Sequence, residues 1–87
     1  MGKKEKLLQR LHSRPKDFTW DELVSLLKAL GFEIFQGRGS RCKFIHKETQ
    51  TIISLHRPHP GNELKMYVMD QVIEKLSEMG VFDERSF

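Results

Sequence analysis

The chain has 87 residues, 38% hydrophobic and 31% charged, with a net charge of +3. That length suits one domain with a modest core. No apolar run approaches the roughly 18 residues of a membrane helix and no apolar stretch follows the lysine-rich start, so a cytoplasmic chain with no membrane contact is expected.

The single cysteine, Cys42, excludes an internal disulfide and zinc sites built on several cysteines. Charge is unevenly spread. Residues 1–16 hold six Lys and Arg against one Glu, and residues 38–65 hold six against two. Residues 17–37 and 66–87 are net acidic. A basic face and a more acidic one follow if the middle segments lie together.

In chain order, Lys3 to Leu11 reads as a short helix with Leu7, Leu8 and Leu11 on its apolar side, broken at Ser13-Arg14-Pro15. Whether this arm packs or stands free is open at this level. Thr19-Trp20-Asp21-Glu22 is a capping box, in which the Thr19 oxygen accepts from the Glu22 amide and the Glu22 carboxylate reaches back. Leu23, Leu26, Leu27 and Leu30 follow at helical spacing, and Gly31 supplies the stop, which predicts a helix over 19–30.

Three β segments are expected at 32–36, 41–46 and 51–55, joined by the turn 37–40 and by the four residues 47–50. On the middle strand, alternation puts Cys42 and Phe44 on one face and Arg41, Lys43 and Ile45 on the other. Met69, Val72, Ile73 and Leu76 predict a last helix over 65–79, ended by Gly80, with Val81, Phe82 and Phe87 beyond it. The class is α+β: a three-stranded antiparallel sheet with helices on one face, in the order α-β-β-β-α, plus an N-terminal helical extension.

Two stretches stand out. Gly37 to Phe44 is a glycine-rich turn opening into a basic strand, and Leu55 to Lys65 contains two histidines, His56 and His59, around Arg57 and Pro58. Arg38, Arg41, Lys43 and Arg57 read either as a solvated strand face or as a phosphate-binding cluster, and the glycine-rich turn favours the second. Ser40 and Lys65 belong to the same candidate surface.

The element order, with Gly39-Ser40 before the second strand and His59-Pro60-Gly61-Asn62-Glu63-Leu64-Lys65 before the last helix, resembles the HicA family. These are small toxins of bacterial toxin–antitoxin pairs that cleave messenger RNA, with a fold like double-stranded-RNA-binding domains. Glu22 to Phe32, and Gly39 through Phe44 to His46, also match, so the resemblance covers roughly residues 19–80. It implies a domain at 17–82, a basic extension at 1–16 and a tail at 83–87. It also implies RNA and a HicB-like antitoxin as partners, and an endoribonuclease that needs no metal or other cofactor.

The family carries its catalytic histidine directly after the Gly-Ser turn or one residue later. Here those positions hold Arg41 and Cys42. Arginine stays protonated and binds phosphate, but it cannot accept the proton of a 2′-hydroxyl near neutral pH as histidine does.

His59, between two prolines, fits a substitute base, a phosphate donor or a loop-packing histidine. His56 fits a group beside Arg41 or a plain strand end, and His46 reads as a hairpin end. His56, His59 and Cys42 imitate a metal site, but the donor set is minimal and no metal is expected. Cys42 reads as core, Trp20 as packing, and Tyr67 as either packing or base-stacking.

Three functional readings follow. The first is a HicA-like toxin that binds and cleaves RNA, with Arg38, Ser40, Arg41, Lys43, Arg57 and Lys65 on the phosphates and His59 or His56 as base. The second is a catalytically silent RNA binder of the same fold. The third is a protein-interaction module with a basic face.

Overall fold

The computed structural model describes residues 3–58 and 61–81. The helices are α1 (Lys3–His12), α2 (Trp20–Ala29) and α3 (Met66–Glu78), and the strands are β1 (Glu33–Gln36), β2 (Arg41–His46) and β3 (Thr51–His56). The strands form one antiparallel sheet in the order β1-β2-β3. Phe82 and Phe87 lie outside the described residues.

The sheet register follows from the alternation of side chains. Phe44 faces Ile34 on β1 and Ile53 on β3, while Cys42 faces Gln36 and Leu55. This row points inward: Cys42, Phe44, Ile53 and Leu55 are all buried. The opposite face carries Phe35, Lys43 and Ser54 in one row, Arg41 and His56 in the next, and Ile45 with Ile52 at the far end. Helices therefore cover one face only, as the pattern of apolar residues predicts.

Leu23, Leu26 and Leu27 of α2, and Met69, Val72, Ile73 and Leu76 of α3, fill the space over the inner face together with Phe18 and Phe32. Trp20 joins them, its ring 5.7 Å from that of Phe44. The N-terminal arm belongs to the same layer. α1 packs against α2 and α3, and its Leu8 and Leu11 are core residues. It ends where Arg14 adopts φ 52°, a left-handed turn, and pairs its guanidinium with Asp70 of α3.

The start of α2 combines two devices. The Glu22 amide donates to Thr19 Oγ1 at 3.2 Å, and Glu22 Oε1 accepts from the Thr19 amide at 3.1 Å. Arg10 of α1 reaches the same carboxylate, its Nε donating to Oε2 at 2.9 Å. Burial pushes the Glu22 carboxyl up, but the hydrogen bonds from Arg10 and from the Thr19 amide outweigh it and hold the group below the ordinary glutamate range. One side chain thus caps a helix and ties α1 to it.

At the other end of α2, Gly31 takes φ +100°, and a side chain there would meet the His46 ring at 3.2 Å. The His46 Nε2–H donates to the Leu30 carbonyl at 3.1 Å, which leaves Nδ1 to accept from Thr49 Oγ1 at 3.0 Å. His46 therefore joins the helix C-terminus to the β2–β3 hairpin, as a hairpin-end residue.

Two outcomes follow. Leu11→Ala is expected to cost about 2–5 kcal/mol of stability in urea denaturation, because it removes a fully buried side chain. The stability advantage of the wild type over Glu22→Gln is expected to be constant above the ordinary glutamate range. It should shrink as pH falls through the lower folded-state value, because the unfolded chain binds the proton first. Paired denaturation curves across acid pH measure it.

Candidate nucleic-acid interface

Residues 37–41 form a tight turn between β1 and β2. The Gly37 amide donates to the Arg41 carbonyl at 2.9 Å and the Arg41 amide to the Arg38 carbonyl at 3.3 Å. Gly39 sits at φ +64°, in open space, so glycine is needed there for its backbone rather than for room. This geometry turns Ser40 toward the end of β3.

Contact between the turn and the loop after β3 is direct. The Arg57 amide donates to the Ser40 carbonyl at 2.7 Å. Ser40 Oγ lies 3.2 Å from His56 Nδ1. Arg41 is the cross-strand partner of His56. Ser40, Arg41, His56 and Arg57 therefore converge at one corner of the sheet, all solvent-exposed.

The loop is fixed on its other side by the start of α2. The Trp20 amide donates to the Asn62 carbonyl at 2.7 Å and the Leu64 amide to the Phe18 carbonyl at 2.8 Å. Thr19 bridges Glu63, and Asn62 Nδ2 donates to Asp21 Oδ2 at 3.3 Å. Gly39, Ser40, Arg57, Pro58 and Gly61 line one concavity, with Asp21 and Asn62 at its wall. The two motif loops thus lie side by side. His59 lies outside the described residues.

The remaining cations sit on adjoining surfaces. Arg38 and Lys43 share a hollow on the outer face with Arg41 and His56. Lys65, the N-cap residue of α3, shares another with His56 and Arg57. Exposed guanidinium and ammonium groups in concave backbone suit phosphate, which accepts several charge-assisted hydrogen bonds at once.

Cys42 is buried against the core, on the opposite face of the sheet from His56. Among the described residues no three His, Cys, Asp or Glu side chains gather as metal donors. Among the same residues no helix is long and apolar enough to cross a membrane.

Sequence reasoning gave no role to two residues of this region. Asn62 anchors the loop through a backbone carbonyl, which no side-chain pattern announces. Phe35 pairs with Lys43 on the outer face and is 48% exposed. Its neighbour Ile34 takes the inner face opposite Phe44, an assignment that the strand register makes.

Residues 20–79 match the family model described as the HicA toxin of bacterial toxin–antitoxin systems. No curated protein and no solved structure gives a match.

His46 separates structure from site. His46→Ala strands the Leu30 carbonyl and is expected to cost roughly 1–3 kcal/mol in thermal or urea unfolding. Any RNA affinity, measured on the folded fraction, should stay at the wild-type value.

Proposed function

The chain belongs to the HicA toxin family of bacterial toxin–antitoxin systems, and from that premise we propose that it binds messenger RNA in the cytoplasm and cleaves it through the RNA's own 2′-hydroxyl. A HicB-like antitoxin is the partner that holds it silent. The observation that carries the reading is the convergence of Ser40, Arg41, His56 and Arg57 where the two motif loops meet.

Each residue has a part that its chemistry permits. Arg41 and Arg57 bind the scissile phosphate and stabilise the charge that builds on its oxygens as the bond forms. Arg38, Lys43 and Lys65 hold neighbouring phosphates of the strand. His56 is the base. With its Nδ1–H donating to Ser40 Oγ, its Nε2 keeps a lone pair for the 2′-hydroxyl proton. His59, the other candidate base that the sequence offers, lies outside the described residues.

In the reaction, His56 Nε2 takes the proton from O2′, and O2′ forms a bond to phosphorus. The bond from phosphorus to O5′ breaks, O5′ takes a proton from water, and the hydroxide left behind takes the proton from His56 Nε2, which restores the base. The products are a 2′,3′-cyclic phosphate and a 5′-hydroxyl. The nucleophile comes from the substrate and the base from the protein, so a chelator is expected to leave the rate unchanged. Arg41 supplies charge where the family's usual histidine would supply basicity, and the imidazole stands on the opposite strand.

Incubation of the purified chain with RNA in a chelator tests the proposal. Wild type is expected to leave cyclic-phosphate ends, and His56→Ala is expected to slow cleavage by roughly 10²–10⁴-fold. Arg41→Ala should lower the slope of log affinity against log salt by about 0.7, the share of one single-strand phosphate contact. Binding without cleavage at any pH would assign the silent binder instead. Gain of cleavage in Arg41→His would then show an intact scaffold lacking only its base.

A further inference from the structure

Two exposed aromatic rings flank this corner, and the cleavage chemistry uses neither. Phe35 is 48% exposed and Tyr67 66% exposed, so each leaves a large part of its surface open to solvent. Phe35 stands on the outer face of β1, beside Lys43. It shares its hollow with Arg38, Arg41, Lys43, Ser54 and His56, a lining with three permanent cations and no acid. Tyr67, the second residue of α3, shares a different hollow with His56, Arg57, Lys65 and Glu63. His56 borders both hollows, so the two adjoin at that residue.

We propose that Phe35 and Tyr67 are nucleobase-stacking platforms on the two sides of the phosphate site, which makes unpaired RNA the substrate. The inference rests on the RNA reading above and adds to it a base-binding subsite on each flank. Phosphate contacts position a strand but are blind to its bases. An exposed ring is not, because it accepts the face of a base only when that base has left its own stack.

Charge favours a nucleic acid over a protein as occupant. Phe35 is set among three cations with no acid, and Tyr67 beside Arg57 and Lys65 with one acid, Glu63. The more apolar pair on the outer face, Ile45 and Ile52, lies at the opposite end from Arg41 and His56. A polyanion whose bases alternate with phosphates matches rings that alternate with Arg and Lys. An acidic partner protein would pair with the cations but has no need of isolated aromatic faces between them.

Fluorescence anisotropy with a labelled 2′-O-methyl RNA strand tests this, because that strand lacks the hydroxyl needed for cleavage. The comparison strands are an abasic one of equal length and a duplex, and circular dichroism confirms that each variant is folded. Phe35→Leu and Tyr67→Leu are each expected to weaken binding of the base-bearing strand roughly tenfold. The abasic strand should bind every variant as it binds wild type, Tyr67→Phe should retain wild-type affinity, and the duplex should bind more weakly than the single strand.

Equal affinity of wild type and both Leu variants for the base-bearing strand overturns the inference and leaves RNA binding standing. So does a Leu variant that keeps its RNA affinity but no longer binds an antitoxin, which would assign the rings to protein docking. Failure of the wild type to bind any strand overturns the RNA reading itself, and the inference with it.

Discussion

One backbone hydrogen bond, from the Arg57 amide to the Ser40 carbonyl at 2.7 Å, holds together everything proposed for this surface. It extends the β2–β3 ladder by one step past Arg41 and His56 and closes the glycine turn onto the loop that follows β3. Backbone groups carry the contact, so the side chains of Ser40, Arg41, His56 and Arg57 are left to face solvent. The far end of the loop is held the same way, by main-chain bonds from Trp20 and Leu64. These main-chain bonds fix the described ends of the loop, at Arg57 and at 62–64.

The rest of the fold holds that corner in place. Trp20 is buried against Phe44, while the residues on either side of it, Thr19 and Asp21, reach the loop. The position of the loop is therefore tied to the packing of the core. α1 adds to this from the other side: its Leu8 and Leu11 are in the core, and its Arg10 grips Glu22, the residue that caps α2. The basic extension is thus part of the scaffold, and its charge lies on the helical layer rather than on the outer face of the sheet.

Much of the fold was legible because it depends on local chemistry. The capping box at Thr19 and Glu22, the leucine spacing of α2 and the alternation of Cys42 and Phe44 each reappear at the expected residues. The packing of α1 was not legible, since an apolar side on a short helix does not say what it meets. The link between Ser40 and Arg57 was not legible either, because a carbonyl and an amide belong to every residue. The candidate site was readable as a list of cations and histidines. Its order in space, with Arg41 opposite His56 and Ser40 beside the ring, required the strand register. Phe35 was missed because Ile34 and Phe35 are both apolar, and only pairing with β2 decides which one turns outward.

The central claim is that RNA meets this protein where the two motif loops join. The most direct measurement is the change in backbone amide NMR shifts as a non-cleavable RNA strand is added to the ¹⁵N-labelled full chain. The account predicts that the largest changes fall on residues 38–43 and 56–58 and weaken as salt is raised. Changes centred on α1 or on the outer side of α3, with Ser40, Arg41, His56 and Arg57 unmoved, would contradict it.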